Sequence, residues 1–180
     1  YGSPVLFPFP KDETFAAARG NMVIIDDVIY AVCYNRWAVT WLEKSEDFGR
    51  SWEVVSWLDE RLWTNQIECG RINEASLGYY DGKMYVVGRQ QSENGDNRLE
   101  IGVSEDLGVT WTWSFLPIEG HAPSLTPYKD AFILTYRNVK DSNRGKYSFD
   151  TVLLKDGKLA SNPASLFESD NFDVGYGDVL

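Results

Sequence analysis

The chain alternates short runs of β-branched and aromatic residues with turn-forming dipeptides. The runs cover residues 22–26, 28–33, 77–80, 83–88, 131–136 and 147–154. The dipeptides between them are Asp26-Asp27, Asp81-Gly82, Lys129-Asp130 and Asp156-Gly157, which suit tight hairpin connections. The one alanine-rich stretch, residues 15–18, is too short to form a stable helix. The pattern therefore predicts an all-β fold built from antiparallel hairpins.

A hairpin segment of 17 residues recurs three times without gaps. The copies are GNMVIIDDVIYAVCYNR from Gly20, NEASLGYYDGKMYVVGR from Asn73 and HAPSLTPYKDAFILTYR from His121. Their starts are 53 and 48 residues apart, and every copy ends in arginine. A fourth copy begins at Tyr176, in YGDVL. Self-similarity at a fixed spacing predicts a fold that repeats one supersecondary unit.

Two of the copies are followed by a shared octapeptide. The sequences are SEDFGRSW from Ser45 and SEDLGVTW from Ser104. In each, the aspartate is suited to accept turn N–H groups, and the glycine to take a positive φ. The hydroxyl residue ties the turn, and the tryptophan packs onto the sheet. We interpret Asp47 and Asp106 as residues that lock turns and not as catalytic acids.

These octapeptides resemble the Asp box, or bacterial neuraminidase repeat, of β-propellers. The hairpin copies and DVGYGDVL are similar to segments of the six-bladed sialidase-like superfamily. The resemblance covers roughly residues 15–180 and implies four-stranded antiparallel blades at about 20–60, 73–118 and 121–168, with the next blade starting at 173–180. Three blades and the start of a fourth are about half of such a propeller. The remainder of the propeller, or a second copy, is therefore expected to close the ring.

Charge and composition narrow the expected partners. The chain has 180 residues, with 17 Lys and Arg against 27 Asp and Glu, for a net charge of −10. We therefore expect neither nucleic acid nor an anionic membrane surface as a partner. No run of 18 apolar residues is present, so no membrane span is expected. We interpret the chain, which opens at Tyr1, as a fragment or a processed protein, and predict a secreted, periplasmic or cell-surface location.

The sequence contains no ligand set of the zinc type. It has one histidine and two cysteines, Cys33 and Cys69, too few for the usual structural or catalytic zinc sites. No cofactor or metal is expected. The two cysteines are compatible with one disulfide or with two free thiols.

The repeat also predicts which residues share a face. In a four-stranded blade the first strand begins, and the second ends, on one face, while the hairpin turn and the octapeptide lie on the other. The shared face is expected to hold the first repeat residues (Gly20, Asn73, His121, Tyr176), the residues that follow them (Asn21, Glu74, Ala122, Gly177) and the final arginines (Arg36, Arg89, Arg137).

These arginines predict a substrate-binding site. Guanidinium groups bind carboxylates through paired hydrogen bonds, so Arg36, Arg89 and Arg137 suit an anionic sugar such as a sialic or uronic acid. His121 is a further substrate-binding candidate, as a donor to a sugar hydroxyl or a pH-sensitive acid. The alternative is structural: each arginine pairs with a nearby carboxylate or stacks on an aromatic ring, and His121 bonds one blade to another.

The resemblance to sialidases implies two catalytic residues. Glu74 corresponds to the base that accepts a proton from a tyrosine nucleophile, and Tyr176 to that nucleophile. The alternatives are a Glu74 that bonds an arginine and a Tyr176 that lines the axis. The sequence also departs from the family: NRWAVTWLEK lacks the acid/base aspartate, and Arg19-Gly20-Asn21 stands where sialidases have Arg-Ile-Pro. Candidate substitute acids are Glu93, Asp96 and Asp141.

Three functional hypotheses follow. The first is a sialidase-like glycoside hydrolase that acts on a terminal, acidic sugar of a glycan. The second is a non-catalytic Asp-box propeller that binds a glycan or protein ligand through the same face. The third is a scaffold with a vestigial pocket. The missing acid/base aspartate favours the second and third, whereas the arginine column and the Glu74/Tyr176 pair favour the first.

Overall fold

The computed structural model describes residues 16–18, 21–35, 39–58, 71–91, 97–140 and 145–170. Within these residues every regular element is a β-strand, and all strand pairs are antiparallel. This confirms the predicted all-β, antiparallel fold class. The described part contains no helix that is long and apolar enough to span a membrane.

The strands follow one another along the chain as a series of hairpins. Their bounds are β1 Ala16–Ala18, β2 Val23–Ile25, β3 Val28–Asn35, β4 Thr40–Ser45, β5 Glu53–Trp57, β6 Arg71–Tyr80, β7 Lys83–Gln91, β8 Arg98–Ser104, β9 Thr112–Tyr128, β10 Ala131–Asn138, β11 Tyr147–Lys155, β12 Lys158–Leu159 and β13 Ala164–Ser169.

The first sheet, here called unit 1, contains β1 to β5. Strand β3 pairs on one side with β4, which pairs with β5. On its other side, β3 pairs with β1 through Cys33–Asn35 and with β2 through Val28–Tyr30. Two short strands therefore occupy the position of a single first strand.

The second sheet contains β6 to β13 and consists of two four-stranded arrangements joined by one long strand. Residues 112–119 of β9 pair with β8, and residues 120–128 pair with β10. We call β6, β7, β8 and residues 112–119 unit 2. Unit 3 is residues 120–128, β10 and β11, with β12 and β13 both paired to β11. The predicted blade boundaries remain predictions, and the expected blade start at 173–180 lies outside the described residues.

The units pack through apolar side chains that alternate across each strand. One cluster contains residues of units 1 and 2, among them Leu42 of β4 and Val86 of β7. A second cluster contains residues of units 2 and 3, among them Val87 of β7 and Leu134 of β10. Adjacent residues of β7 thus serve opposite interfaces, which explains why the middle of this strand is apolar at consecutive positions.

Both octapeptides form the predicted turn between the third and fourth strands of their units. In the second copy, the Ser104 hydroxyl accepts a hydrogen bond from the N–H of Gly108 at 2.8 Å. The Asp106 carboxylate accepts from the hydroxyl of Thr110 at 2.6 Å and from its N–H at 2.8 Å. These bonds lower the pKa of Asp106 to about 2. Asp47 makes the matching bonds to Ser51, so the turn-locking interpretation is confirmed for both aspartates.

The second octapeptide also bonds to the neighbouring unit. The Ser56 hydroxyl of unit 1 donates to the carbonyl of Gly108 at 2.5 Å and accepts from the indole N–H of Trp111 at 3.1 Å. Leu42 lies so close to Gly108 that an added Cβ would stand 2.1 Å from its Cδ2. The turn therefore closes its own hairpin and fixes unit 2 against unit 1.

Cys33 is a free, buried thiol, and Cys69 lies outside the described residues. The Cys33 thiol donates to a carboxylate oxygen of Glu43 at 2.7 Å. Burial raises the pKa of Glu43, which is fully buried. Burial and this contact raise the pKa of Cys33 as well, so the pair forms a polar contact inside unit 1 and not a reactive thiolate.

Candidate functional site

A bulge recurs at the second repeat position of units 2 and 3. The pairing of β6 with β7 shifts register between Asn73 and Ser76, and that of β9 with β10 shifts between Thr135 and Arg137. The bulged residues Glu74 and Ala122 have φ of 49° and 55°, in a region that non-glycine residues seldom adopt. Bulges redirect side chains and are frequent beside functional sites.

The bulge places the Glu74 carboxylate between a main-chain N–H group and a guanidinium group. Its Oε2 accepts a hydrogen bond from the main-chain N–H of Ala122 at 3.1 Å. The same oxygen lies 3.7 Å from Nη1 of Arg89. The side chains of Arg89 and Glu74 are 23% and 13% exposed, so both retain access to a ligand. The hydrogen bond from Ala122 to Glu74 joins unit 3 to unit 2.

His121 lies beside this pair as a buried, neutral imidazole. Its Nε2 is 3.0 Å from the amide oxygen of Asn97, which fits an Nε2–H donor. Burial lowers the pKa of His121 to about 4; the charges of Arg89 and Arg137 act in the same direction, and the charge of Glu74 opposes them. At neutral pH the ring therefore carries no charge.

Arg137 completes the cluster from unit 3. It pairs directly opposite His121 between β10 and β9, and it is 4% exposed. Arg89 holds the same repeat position opposite Asn73 in unit 2. The structure thus brings together four of the predicted site residues, Glu74, Arg89, His121 and Arg137, which we call the Glu74 cluster. Their substrate-binding and catalytic roles remain predictions.

The cluster and the octapeptide turns lie at opposite ends of the strands, as predicted. On β7, Met84 pairs with Ser104 at the octapeptide end, whereas Arg89 pairs with Leu99 at the other end. The buried carboxylates Glu100 and Asp150 pair with Gly88 and Tyr136, next to the two arginines. Because side chains alternate along a strand, these carboxylates point to the opposite side of the sheet from the arginines.

Several predicted site residues lie outside the described residues. They are Arg36, Tyr176 and the candidate substitute acids Glu93, Asp96 and Asp141. Two groups in the cluster were not predicted to act there: the Asn97 side chain and the Ala122 N–H. The repeat alignment gives the position of Ala122 but assigns it no chemistry, because its contribution is a main-chain group. Asn97 directly precedes β8, in a part of the sequence that the repeat does not cover.

The chemistry of the cluster is that of a carboxylate beside guanidinium groups. Such a carboxylate accepts protons and hydrogen bonds, and the guanidiniums bind anions or hydroxyl oxygens. In the described ranges, no three His, Cys, Asp or Glu residues come close enough to hold a metal ion.

The comparison with solved structures identifies the fold. The α-L-arabinofuranosidase Arb93A of Fusarium graminearum aligns with TM-score 0.67 and 20% identity, over 93% of this chain and 53% of that one. An α-L-arabinanase of Penicillium chrysogenum aligns with TM-score 0.67 and 18% identity, over 96% and 54% of the chains. A family 117 glycoside hydrolase of Zobellia galactanivorans aligns with TM-score 0.62 and 13% identity, over 88% and 59%.

These matches confirm the predicted propeller class of fold, since the proteins are propeller-fold glycosidases. The chain spans about half the length of the structures that it matches. At this identity the likeness shows the fold alone. No protein-family model matches the sequence, and no curated protein matches it. A neuraminidase in particular is not supported.

Proposed function

We propose that this chain forms the site-bearing part of a propeller glycoside hydrolase that acts on a terminal sugar of a glycan. The contact between Glu74 and Arg89 carries the proposal. It places a partly exposed carboxylate within 3.7 Å of a guanidinium at the boundary of two units. The likeness in fold supports it, because the matched structures are an α-L-arabinofuranosidase with an iminosugar inhibitor, an α-L-arabinanase with arabinobiose and a family 117 glycoside hydrolase.

We further propose that the terminal sugar of the substrate is acidic. Arg89 and Arg137 bring two guanidiniums to a cluster with one carboxylate, Glu74, which leaves a net positive charge for the substrate carboxylate. The Nε–H of Arg89 is buried and has no acceptor among the described residues, so it is a donor that a bound carboxylate would satisfy. In this role Glu74 would accept the phenolic proton of Tyr176, the proposed nucleophile.

The test is hydrolysis by the full-length protein of fluorogenic sialosides, uronosides and arabinofuranosides. Tyr176→Phe removes only the nucleophilic oxygen, so it is expected to abolish turnover and leave binding nearly intact. Tyr128→Phe is the matched control, because Tyr128 lies at the octapeptide end of unit 3 and is 44% exposed. Turnover by Tyr176→Phe equal to that of the unmodified protein would show that the nucleophile assignment is wrong.

The second candidate is a non-catalytic glycan-binding propeller. It is favoured by the state of His121, whose pKa of about 4 leaves it without a proton to donate as a cationic acid at neutral pH. Binding of glycans by the unmodified protein, with no release of sugar from any substrate of the panel, would select this candidate.

A further inference from the structure

A concave surface on unit 3 encloses a volume of about 330 Å³. It lies at the same end of the strands as Arg137. It is formed where β10 ends, β11 begins and β13 ends. Among the residues that line it are Asn138, Lys146, Tyr147, Ser148, Glu168 and Asp170. Concave sites with a few placed polar groups are where proteins bind small polar ligands.

The position of this surface follows from strand register. Asn138 lies opposite Ser148, and Ser148 lies opposite Glu168, so the three form a row on one side of the sheet. Two residues along β10, Tyr136 is on the same side and packs in the apolar cluster with unit 2. The row therefore lies on the side of unit 3 that faces unit 2, the boundary that the Glu74–Ala122 bond crosses.

The wall of the surface is fixed by a buried carboxylate. The Asn138 amide donates to Oδ2 of Asp150 at 2.7 Å, and its oxygen accepts from the N–H of Lys140 at 3.0 Å. Asp150 is 5% exposed. Because both ends of the Asn138 amide are bonded, this side chain keeps one orientation and supports a preformed concavity.

The rim carries three exposed charged groups. Lys146, Glu168 and Asp170 are exposed, and their side chains make no ion pair with any described residue. Two carboxylates and one ammonium accept and donate hydrogen bonds to hydroxyl groups, and their net negative charge disfavours an anionic unit. Tyr147 adds a half-buried aromatic ring, a surface for apolar C–H groups. This combination suits a neutral sugar.

We propose that this surface is a second subsite, which binds a neutral sugar unit of a glycan whose terminal unit occupies the Glu74 cluster. The proposal rests on the function proposed above. Arg137 of the Glu74 cluster and Asn138 of the surface are consecutive residues of β10, so the surface begins next to the cluster. Its width from β10 to β13 is two strand spacings, about 10 Å, a length that a short oligosaccharide covers. The enzyme or binding module would thus recognise a terminal acidic unit together with the neutral unit that carries it.

The experiment compares the binding of a terminal unit with that of a longer glycan, by calorimetry on the full-length protein. The probe pairs are N-acetylneuraminic acid with sialyllactose and glucuronic acid with glucuronosyl-xylobiose. If the subsite exists, the longer member of one pair binds at least about tenfold more tightly than the free acid. The double variant Glu168→Ala/Asp170→Ala loses this gain and keeps its affinity for the free acid.

The matched control is Glu46→Ala/Glu105→Ala, which removes two exposed carboxylates at the octapeptide end and keeps the gain. Retention of the gain by the Glu168/Asp170 variant, or no gain in the unmodified protein, would overturn the subsite. A protein that binds none of the four probes would instead overturn the acidic-sugar site, and the subsite proposal with it.

Discussion

The Glu74 carboxylate accepts a 3.1 Å hydrogen bond from the N–H of Ala122, the residue at the same repeat position in the next unit. Both residues have a left-handed φ, of 49° and 55°. One repeated bulge therefore has two uses: in unit 2 it presents a carboxylate, and in unit 3 it presents the N–H that orients that carboxylate. The site belongs to the boundary between the units and to neither unit alone.

Replacement of Arg89 by lysine is expected to weaken acidic-sugar binding. Lysine keeps the positive charge but loses the paired N–H donors, so affinity should fall by an order of magnitude or more, about 1.5 kcal/mol for a charge-assisted pair. Calorimetry with sialic and uronic acids measures the change. Arg50→Lys is the control, because the exposed Arg50 lies in the first octapeptide. Equal affinity for Arg89→Lys and Arg50→Lys would exclude Arg89 from carboxylate binding.

His121 is expected to titrate near pH 4. Its pKa is lowered from 6.5 by burial and by the charge of Arg89. Between about pH 6.5 and 4 the unfolded chain binds more protons at this residue than the folded one. The contribution of His121 to stability is therefore complete above this window and is lost as pH falls through it. Because the chain has one histidine, its proton NMR resonance reports the midpoint without overlap.

Two substitutions separate the causes of this shift. Arg89→Gln removes a positive charge and should raise the His121 midpoint, whereas Glu74→Gln removes the opposing negative charge and should lower it. A midpoint near 6.5 in the unmodified protein would mean that the ring is not held in the buried position described here.

Gly108→Ala is expected to destabilise the protein more than Gly49→Ala. Both glycines have a left-handed φ, of 87° and 82°, so both substitutions carry a similar backbone cost of about 1 kcal/mol. At Gly108 the new Cβ would lie 2.1 Å from Leu42 Cδ2, whereas at Gly49 the nearest atom is 3.7 Å away, in Trp52. Overpacking should add about 1–3 kcal/mol at Gly108. Denaturant unfolding measures the difference, and equal losses would contradict the described packing of unit 2 on unit 1.

Asp106→Ala is expected to lower the melting temperature without changing ligand affinity. It removes the acceptor of the Thr110 hydroxyl and N–H bonds. Because the pKa of Asp106 is lowered from 3.8 to about 2, its contribution is present above pH 3.8 and disappears as pH falls towards 2. Glu105→Ala is the control, since Glu105 is exposed and pairs only with Lys83 among the described residues. A variant that lost glycan binding but kept its melting temperature would contradict the structural role.

Much of the fold was predictable because its determinants are local. The octapeptides contain both the donors and the acceptors of their own turn, from Ser104 to Thr110, so sequence alone identifies them. The runs of β-branched and aromatic residues, with turn dipeptides between them, predict the hairpins in the same way. The continuous 17-residue strand β9 was not predicted: a fourth strand that runs directly into the next first strand leaves no turn signal in the sequence.

The repeat also placed Glu74, Arg89, His121 and Arg137 at one end of the strands, because strand register determines which end of a hairpin a residue occupies. Three features required the tertiary structure: the bond from Ala122 to Glu74, the contact of Asn97 with His121, and the concave surface around Asn138. Each joins residues from different strands or units, and their distances depend on how two sheets pack. Residue identity specifies the available chemical groups. Packing across the boundary between units 2 and 3 decides which groups meet, and the burial that it causes lowers the pKa of His121.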